Sequence, residues 1–297
     1  MTQIGFVGIG NMGLPMATNL IKAGYPVEAY DVRREAVEAV VARGATTGGS
    51  AAEVAGRVEV LITMLPNSPE VEAAYLGPKG VLEGARPALL CVDMSTIDPA
   101  ATRRVGERLA AKGVRMLDAP VSGAVPRAVE GTLTIMVGGE AAVFETARPI
   151  LRAMGSNVIH VGPLGSGEVA KICNNLIAGV AMIAVAEAFT IGLRAGVDPK
   201  VLHEVISKSS GNCWSLEHNC PVPGLTPRAA SNQAYAPGFM TDLMAKDLSL
   251  ARAAARDLGA TCFTGTLAHE LYTLASRHGL GRRDFSSVIQ LLTATGR

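Results

Sequence analysis

The chain has 297 residues, a net charge of +1 at pH 7 and 48% hydrophobic residues. That length holds one large or two ordinary domains, and the near balance of acids and bases leaves no basic patch for nucleic acid. Its five cysteines are odd in number and form no CxxC pair, so neither a zinc site nor a disulfide framework is expected and a reducing, cytoplasmic setting fits.

The first predicted element is a strand over residues 3–7, running into Gly8-Ile9-Gly10-Asn11-Met12-Gly13. A helix through Lys22 follows, Gly24-Tyr25-Pro26 stops it, and a second strand over 27–30 delivers Asp31. Strand, glycine turn, helix, strand and acid in this order are the dinucleotide-binding fingerprint in its proper context. Gly8 permits the tight turn, Gly10 lets a pyrophosphate approach the backbone, and Gly13 lets the helix pack close to the strand. With Asn11 and Met12 these glycines are the expected cofactor contacts, because the helix N-terminus offers free N–H groups and partial positive charge. Asp31 is placed to accept hydrogen bonds from ribose hydroxyls and repels the extra phosphate of NADP. Arg33 and Arg34 stand close enough to receive that phosphate, so the reading is NAD first and NADP second.

Further apolar runs at 58–65, 88–93, 114–118, 132–137 and 157–161 alternate with helical patterns near 99–112 and 141–154. Alternation of this kind predicts a doubly wound, mostly parallel Rossmann-like sheet over residues 1–163. Ligands bind such sheets at the carboxyl ends of strands. The ends here carry Gly8, Asp31, Leu65-Pro66, Ser95-Thr96 and Ala119-Pro120-Val121-Ser122.

From residue 164 strand signals almost vanish, which predicts an all-α C-terminal domain over 164–297 for substrate binding and oligomerisation. It opens with one long interdomain helix near 168–195. Residues 176–193 are apolar enough to span a bilayer, but Glu187 interrupts them, so they read as a buried helix of a soluble protein with no membrane partner. Asp198-Pro199 starts the next helix with an N-cap and a first-turn proline. Residues 209–238 form a long irregular stretch rich in Pro, Ser and Asn, the kind that is usually functional. Helices near 241–258, 264–278 and 285–293 complete the chain.

Oxidising an alcohol with a dinucleotide needs a group that takes the hydroxyl proton. None of the five histidines has a suggestive setting, and no metal site is expected. Lys171 stands out early in the long helix, with Asn174 and Asn175 on the same face. A partly desolvated lysine beside a nicotinamide cation has a lowered pKa, useful for acid/base work. A snorkelling lysine at a helix start fits the spacing equally well.

Four motifs now point the same way. Gly165-Ser166-Gly167-Glu168-Val169-Ala170-Lys171-Ile172-Cys173-Asn174-Asn175 resembles the catalytic signature of the β-hydroxyacid dehydrogenase family. Phe6 through Ala17 is similar to its cofactor signature, Asp118-Ala119-Pro120-Val121-Ser122-Gly123 to its substrate signature, and Met244-Ala245-Lys246-Asp247-Leu248 to its late lysine motif. Ser209-Ser210-Gly211-Asn212-Cys213-Trp214, Asn219-Cys220-Pro221-Val222-Pro223-Gly224 and Asp284-Phe285-Ser286-Ser287 look like the branch that acts on 3-hydroxyisobutyrate.

By that resemblance Lys171 is the general acid/base and Asn175 orients the substrate. Ser122 and Gly123 bind its carboxylate, Trp214 and Phe239 line its pocket, and Leu65, Pro66, Thr96 and Lys246 touch the cofactor. The reaction implied is NAD-dependent oxidation of 3-hydroxyisobutyrate, or a similar short 3-hydroxy acid, to methylmalonate semialdehyde in valine catabolism. A homodimer or homotetramer is expected. The rivals are a tartronate semialdehyde reductase, an L-serine dehydrogenase, and a non-catalytic dinucleotide sensor. One departure stands out: Ala124 occupies a position where the family usually has a second glycine, and Arg127 follows it closely.

Overall fold

Continuous apolar strands of four residues need cover on both faces, and the central strands of the structure have it. The structure is a computed structural model describing residues 2–293; the ends of the expected domains, residue 1 and residues 294–297, lie outside it. The chain divides into two compact units, Met1–Lys171 and Ile172–Arg297.

In the first unit the strands are β1 (Ile4–Val7), β2 (Val27–Tyr30), β3 (Thr46–Thr47), β4 (Val60–Thr63), β5 (Leu90–Asp93), β6 (Arg115–Asp118), β7 (Val121–Ser122), β8 (Thr134–Gly138) and β9 (Asn157–Gly162). They form one sheet in the order β3-β2-β1-β4-β5-β6-β8-β7, with β9 beside β8. β1 to β6 are parallel. The reversal from β2-β1 to β4-β5 around β1 is the switch point at which such sheets bind ligands. The two-residue β7, absent from the expectations, runs antiparallel to β8 and pairs Ser122 with Thr134. Two residues carry too short an apolar pattern to be read as a strand.

Helices α1 (Gly13–Lys22), α2 (Arg34–Val41), α3 (Ala51–Arg57), α4 (Ser68–Leu76), α5 (Val81–Gly84), α6 (Pro99–Ala110), α7 (Ala124–Glu130) and α8 (Ala141–Arg152) fill the crossovers. Side chains alternate across the sheet. Ile4, Phe6, Ile62, Val92 and Leu117 meet Met16 and Leu20 of α1 and Leu151 of α8 in one core. Val7, Leu61, Cys91 and Met116 meet Val54, Tyr75 and Leu109 in the other. Each of the fully buried Leu, Ile and Phe side chains contributes about 2 kcal/mol.

α9 (Ser166–Arg194) begins in the first unit and continues into the second. The boundary expected after residue 163 lies just before it. Helices α10 (Pro199–Ser207), α11 (Trp214–Asn219), α12 (Thr241–Asp257), α13 (Phe263–Ala275) and α14 (Val288–Thr293) complete the second unit. Its core joins Met182, Ala186 and Phe189 of α9 to Leu216, Leu248, Tyr272 and Phe285, and the Tyr272 hydroxyl donates to the Gly179 carbonyl at 3.0 Å.

Two expectations change here. Residues 209–238 are not structureless: α11 and a 3-10 turn over Ala230–Gln233 lie within them. The turn residues hid these short elements, which hydrogen bonds to distant loops hold in place. α9 is also not buried all round, since only 33% of its most apolar stretch lies inside the chain. Ile177 and Ile191 are 71% and 70% exposed, so one side of this helix is apolar without cover from the described residues.

Candidate active site

The glycine turn is built as the sequence predicts. Gly8 has φ +95°. A Cβ on Gly8 would drive into the Met64 carbonyl, and one on Gly13 would land on the Gly8 carbonyl. A Cβ on Gly10 would meet nothing closer than Arg33 Nη2 at 3.9 Å. Gly10 therefore borders open space, and the backbone there is free to receive a bulky anion. The N-cap Met12 offers no side chain to the first turn of α1, and that turn holds no acid. Open backbone, uncapped amides and a missing negative charge fit a dinucleotide pyrophosphate.

Asp31 has a second task that was not anticipated. Its Oδ2 accepts the Ile9 N–H at 2.7 Å, and its Oδ1 accepts the Arg33 N–H at 2.8 Å. Arg33 Nε lies 3.2 Å from Oδ1. The carboxylate braces the glycine turn and pairs with Arg33, the nearest cation that a 2′-phosphate would need.

Beneath the next strand ends sits Asp93, fully buried. Thr63 Oγ1 and Ser95 Oγ both donate to its Oδ1, at 2.7 and 2.6 Å. Ser95 Oγ in turn accepts the Leu65 N–H at 2.9 Å. Burial pushes the Asp93 carboxyl up to about 6 against the pull of these hydrogen bonds. The network fixes the segments carrying Leu65, Pro66 and Thr96 beside the glycine turn. Asp93 was not singled out in the sequence; an acid closing an apolar strand was its only signal.

Ser122 ends β7, partly exposed. Gly123 follows at φ +135° and Ala124 at φ +53°. The left-handed Ala124 costs of order 1 kcal/mol, and it stands where glycine would carry no such cost. The Arg127 stem folds back over Gly123, with Cβ and Cδ each 2.7 Å from where a Gly123 Cβ would stand.

Lys171 is buried in the second turn of α9, and Asn175, also buried, lies one turn on. In the second unit Asn175 Nδ2 donates to Asp247 Oδ2 at 2.5 Å. Lys246 Nζ lies 3.0 Å from Asp247 Oδ1. One buried carboxylate thus holds both Asn175 and Lys246. Asp247 was quoted within the lysine motif but given no role; its partner is 72 positions away in sequence.

Trp214 is not a core residue. It is 55% exposed and stacks on His218 with ring centroids 5.6 Å apart. Phe239 packs edge-on against Phe285 at 6.0 Å. The Phe239 N–H donates to Asp284 Oδ2 at 3.0 Å. Asp284 Oδ1 accepts from Asn219 Nδ2 at 2.9 Å and from Ser286 Oγ at 2.6 Å. The Asn219 and Asp284 motifs therefore meet in one buried hub that sets the Phe239 backbone.

Comparison with known proteins covers nearly the whole chain. The family profile for the NAD binding domain of 6-phosphogluconate dehydrogenase matches residues 3–162. The profile described as NAD-binding of NADP-dependent 3-hydroxyisobutyrate dehydrogenase matches residues 165–292. An NAD-dependent L-serine dehydrogenase of Pseudomonas aeruginosa is 45% identical over 99% of both chains. A 3-hydroxyisobutyrate dehydrogenase of the same organism is 46% identical over 98% of both. The solved 3-hydroxyisobutyrate dehydrogenase of Mycobacterium tuberculosis with L-serine superposes with a TM-score of 0.94 at 42% identity, covering 99% of this chain and 100% of that one. With the fingerprint, the sheet order and the lysine helix in place, the chain belongs to the β-hydroxyacid dehydrogenase family, close to 3-hydroxyisobutyrate dehydrogenase.

Proposed function

We propose that the protein oxidises short 3-hydroxy acids, 3-hydroxyisobutyrate first among them, with NAD as cofactor. Bound NAD supplies the hydride acceptor. Gly8, Gly10 and Gly13 with the α1 N-terminus would hold its pyrophosphate, Asp31 would accept from its ribose hydroxyls, and Leu65, Pro66, Thr96 and Lys246 would complete its contacts. Ser122 and Gly123 grip the substrate carboxylate through a hydroxyl and backbone N–H groups. Lys171 Nζ takes the hydroxyl proton as the hydride leaves the carbon, and Asn175 orients that hydroxyl. Trp214 and Phe239 bound the substrate.

The observation that carries this reading is the buried Lys171 one helical turn before a buried, carboxylate-held Asn175. A lysine and an amide one turn apart on one helix face can take and orient the same hydroxyl proton.

L-Serine is the second reading, favoured by the 45%-identical L-serine dehydrogenase. Steady-state rates on 3-hydroxyisobutyrate, L-serine and glycerate, each with NAD and NADP, decide between them. The expected result is the highest kcat/KM on 3-hydroxyisobutyrate with NAD. A tenfold or larger preference for serine, about 1.4 kcal/mol of transition-state binding, overturns the substrate assignment.

We place the enzyme in the cytoplasm and in valine breakdown. All five cysteines are free, which suits a reducing compartment. The uncovered apolar side of α9 supports a homodimer or homotetramer.

A further inference from the structure

Three helices of this chain are capped locally. Ser50 caps α3, Asp98 caps α6 and Asp198 caps α10, each from the adjoining N-cap position. α9 is capped differently. Asp118, the last residue of β6, sends its carboxylate across to it. Oδ1 accepts the Gly165 N–H at 2.7 Å, and Oδ2 accepts the Glu168 N–H at 2.9 Å.

Asp118 and Glu168 are both fully buried. Glu168 ties the same turn to a second strand end, its Oε2 accepting the Ile97 N–H at 3.1 Å beyond β5. The surroundings are cut to fit. A Cβ on Gly138 would strike Asp118 Oδ1, and one on Gly167 would stand 2.8 Å from Oδ2.

Burial raises the Asp118 carboxyl against the lowering pull of its backbone donors, so this cap carries a desolvation cost that an exposed local cap avoids. A local serine or aspartate satisfies the same amides with no buried charge. What the remote cap adds is registry. With Glu168 it fixes the first turn of α9 against the ends of β6 and β5. Lys171 is the next residue on that helix face after Glu168, three positions on.

We infer that Asp118 and Glu168 are positioning residues for Lys171, two buried carboxylates that lock the first turn of its helix onto the ends of β6 and β5. This rests on the reading of Lys171 as the proton acceptor. A misplacement of about 1 Å costs on the order of a hundredfold in rate. The pair acts on the proton-transfer step and leaves the glycine turn that holds the cofactor untouched.

The test is a mutant cycle read in kcat and in NADH affinity, using the full chain. Asp118→Asn lowers kcat about a hundredfold and Glu168→Gln about tenfold, with NADH Kd within about threefold of wild type. Asp198→Asn, which weakens an exposed cap of α10, leaves kcat within about twofold. In a Lys171→Ala background, adding Asp118→Asn or Glu168→Gln brings no further loss, because the residue they position is gone. A kcat near wild type for both single variants overturns the inference. So does a full, additive loss in the Lys171→Ala background. If Asp118→Asn does not fold, Glu168→Gln carries the same cycle alone. Wild-type turnover in Lys171→Ala sinks the lysine reading itself, a result separate from either failure.

Discussion

Two glycine turns in the first unit lead from a strand into a helix, and they are built to different tolerances. At the first, Gly8 and Gly13 are closed to any side chain by backbone carbonyls, and Asp31 braces the Ile9 amide. At the second, Gly123 is overhung by a flexible arginine stem and Ala124 sits strained in left-handed backbone. Backbone sets the shape of the first turn, while side chains set the second. A pocket for the pyrophosphate that NAD and NADP share suits the former construction. A pocket whose ligand varies among related enzymes suits the latter.

The sharpest way to break this contrast is Gly13→Ala. The added methyl meets the Gly8 carbonyl, which has no room to yield. Titration of NADH fluorescence should show affinity reduced by about a hundredfold or more, as for a displaced backbone at a phosphate site. Retained affinity would show that the first turn is as pliable as the second.

Ser122→Ala comes next. It removes one hydroxyl from the proposed carboxylate site, and a hydrogen bond to a charged group contributes about 2 kcal/mol. Substrate KM should rise roughly thirtyfold while NADH affinity stays put. A parallel loss of cofactor binding would merge the two turns into one functional region.

Ala124→Gly has the smallest effect. Relief of left-handed strain, about 1 kcal/mol, is offset by the greater freedom of glycine in the unfolded chain. Urea unfolding should shift by less than about 1 kcal/mol, and the ratio of kcat/KM for serine and 3-hydroxyisobutyrate should move by about threefold or less. A large change in selectivity would make this methyl a principal determinant of substrate choice.

Legibility in the sequence follows the range of each interaction. The glycine turn is a local pattern, set by spacing between one strand and one helix, and its shape was readable; the spacing of Lys171 and Asn175 placed both on one helix face without fixing their role. The alternation of short apolar runs made the sheet readable too. Contacts between distant segments were not. Nothing near Asp118 announces Gly165, and Asn175 gives no sign of Asp247. α11 was hidden for the same reason. Its Asn219 side chain is held by Asp284, 65 positions later, within a stretch whose composition reads as loop.

The homo-oligomer proposed above would tie this protein's endurance to its abundance. Ile177 and Ile191 leave apolar surface in water that a second copy would remove. In such a dimer folding would be coupled to mass action, each tenfold rise in concentration adding about 1.4 kcal/mol per dimer to the assembled state. Thermal scans over a hundredfold range of protein should show Tm climbing with concentration, and Ile177→Glu should flatten that slope. A slope of zero in the unaltered chain would mean that the helix tolerates its wet face alone.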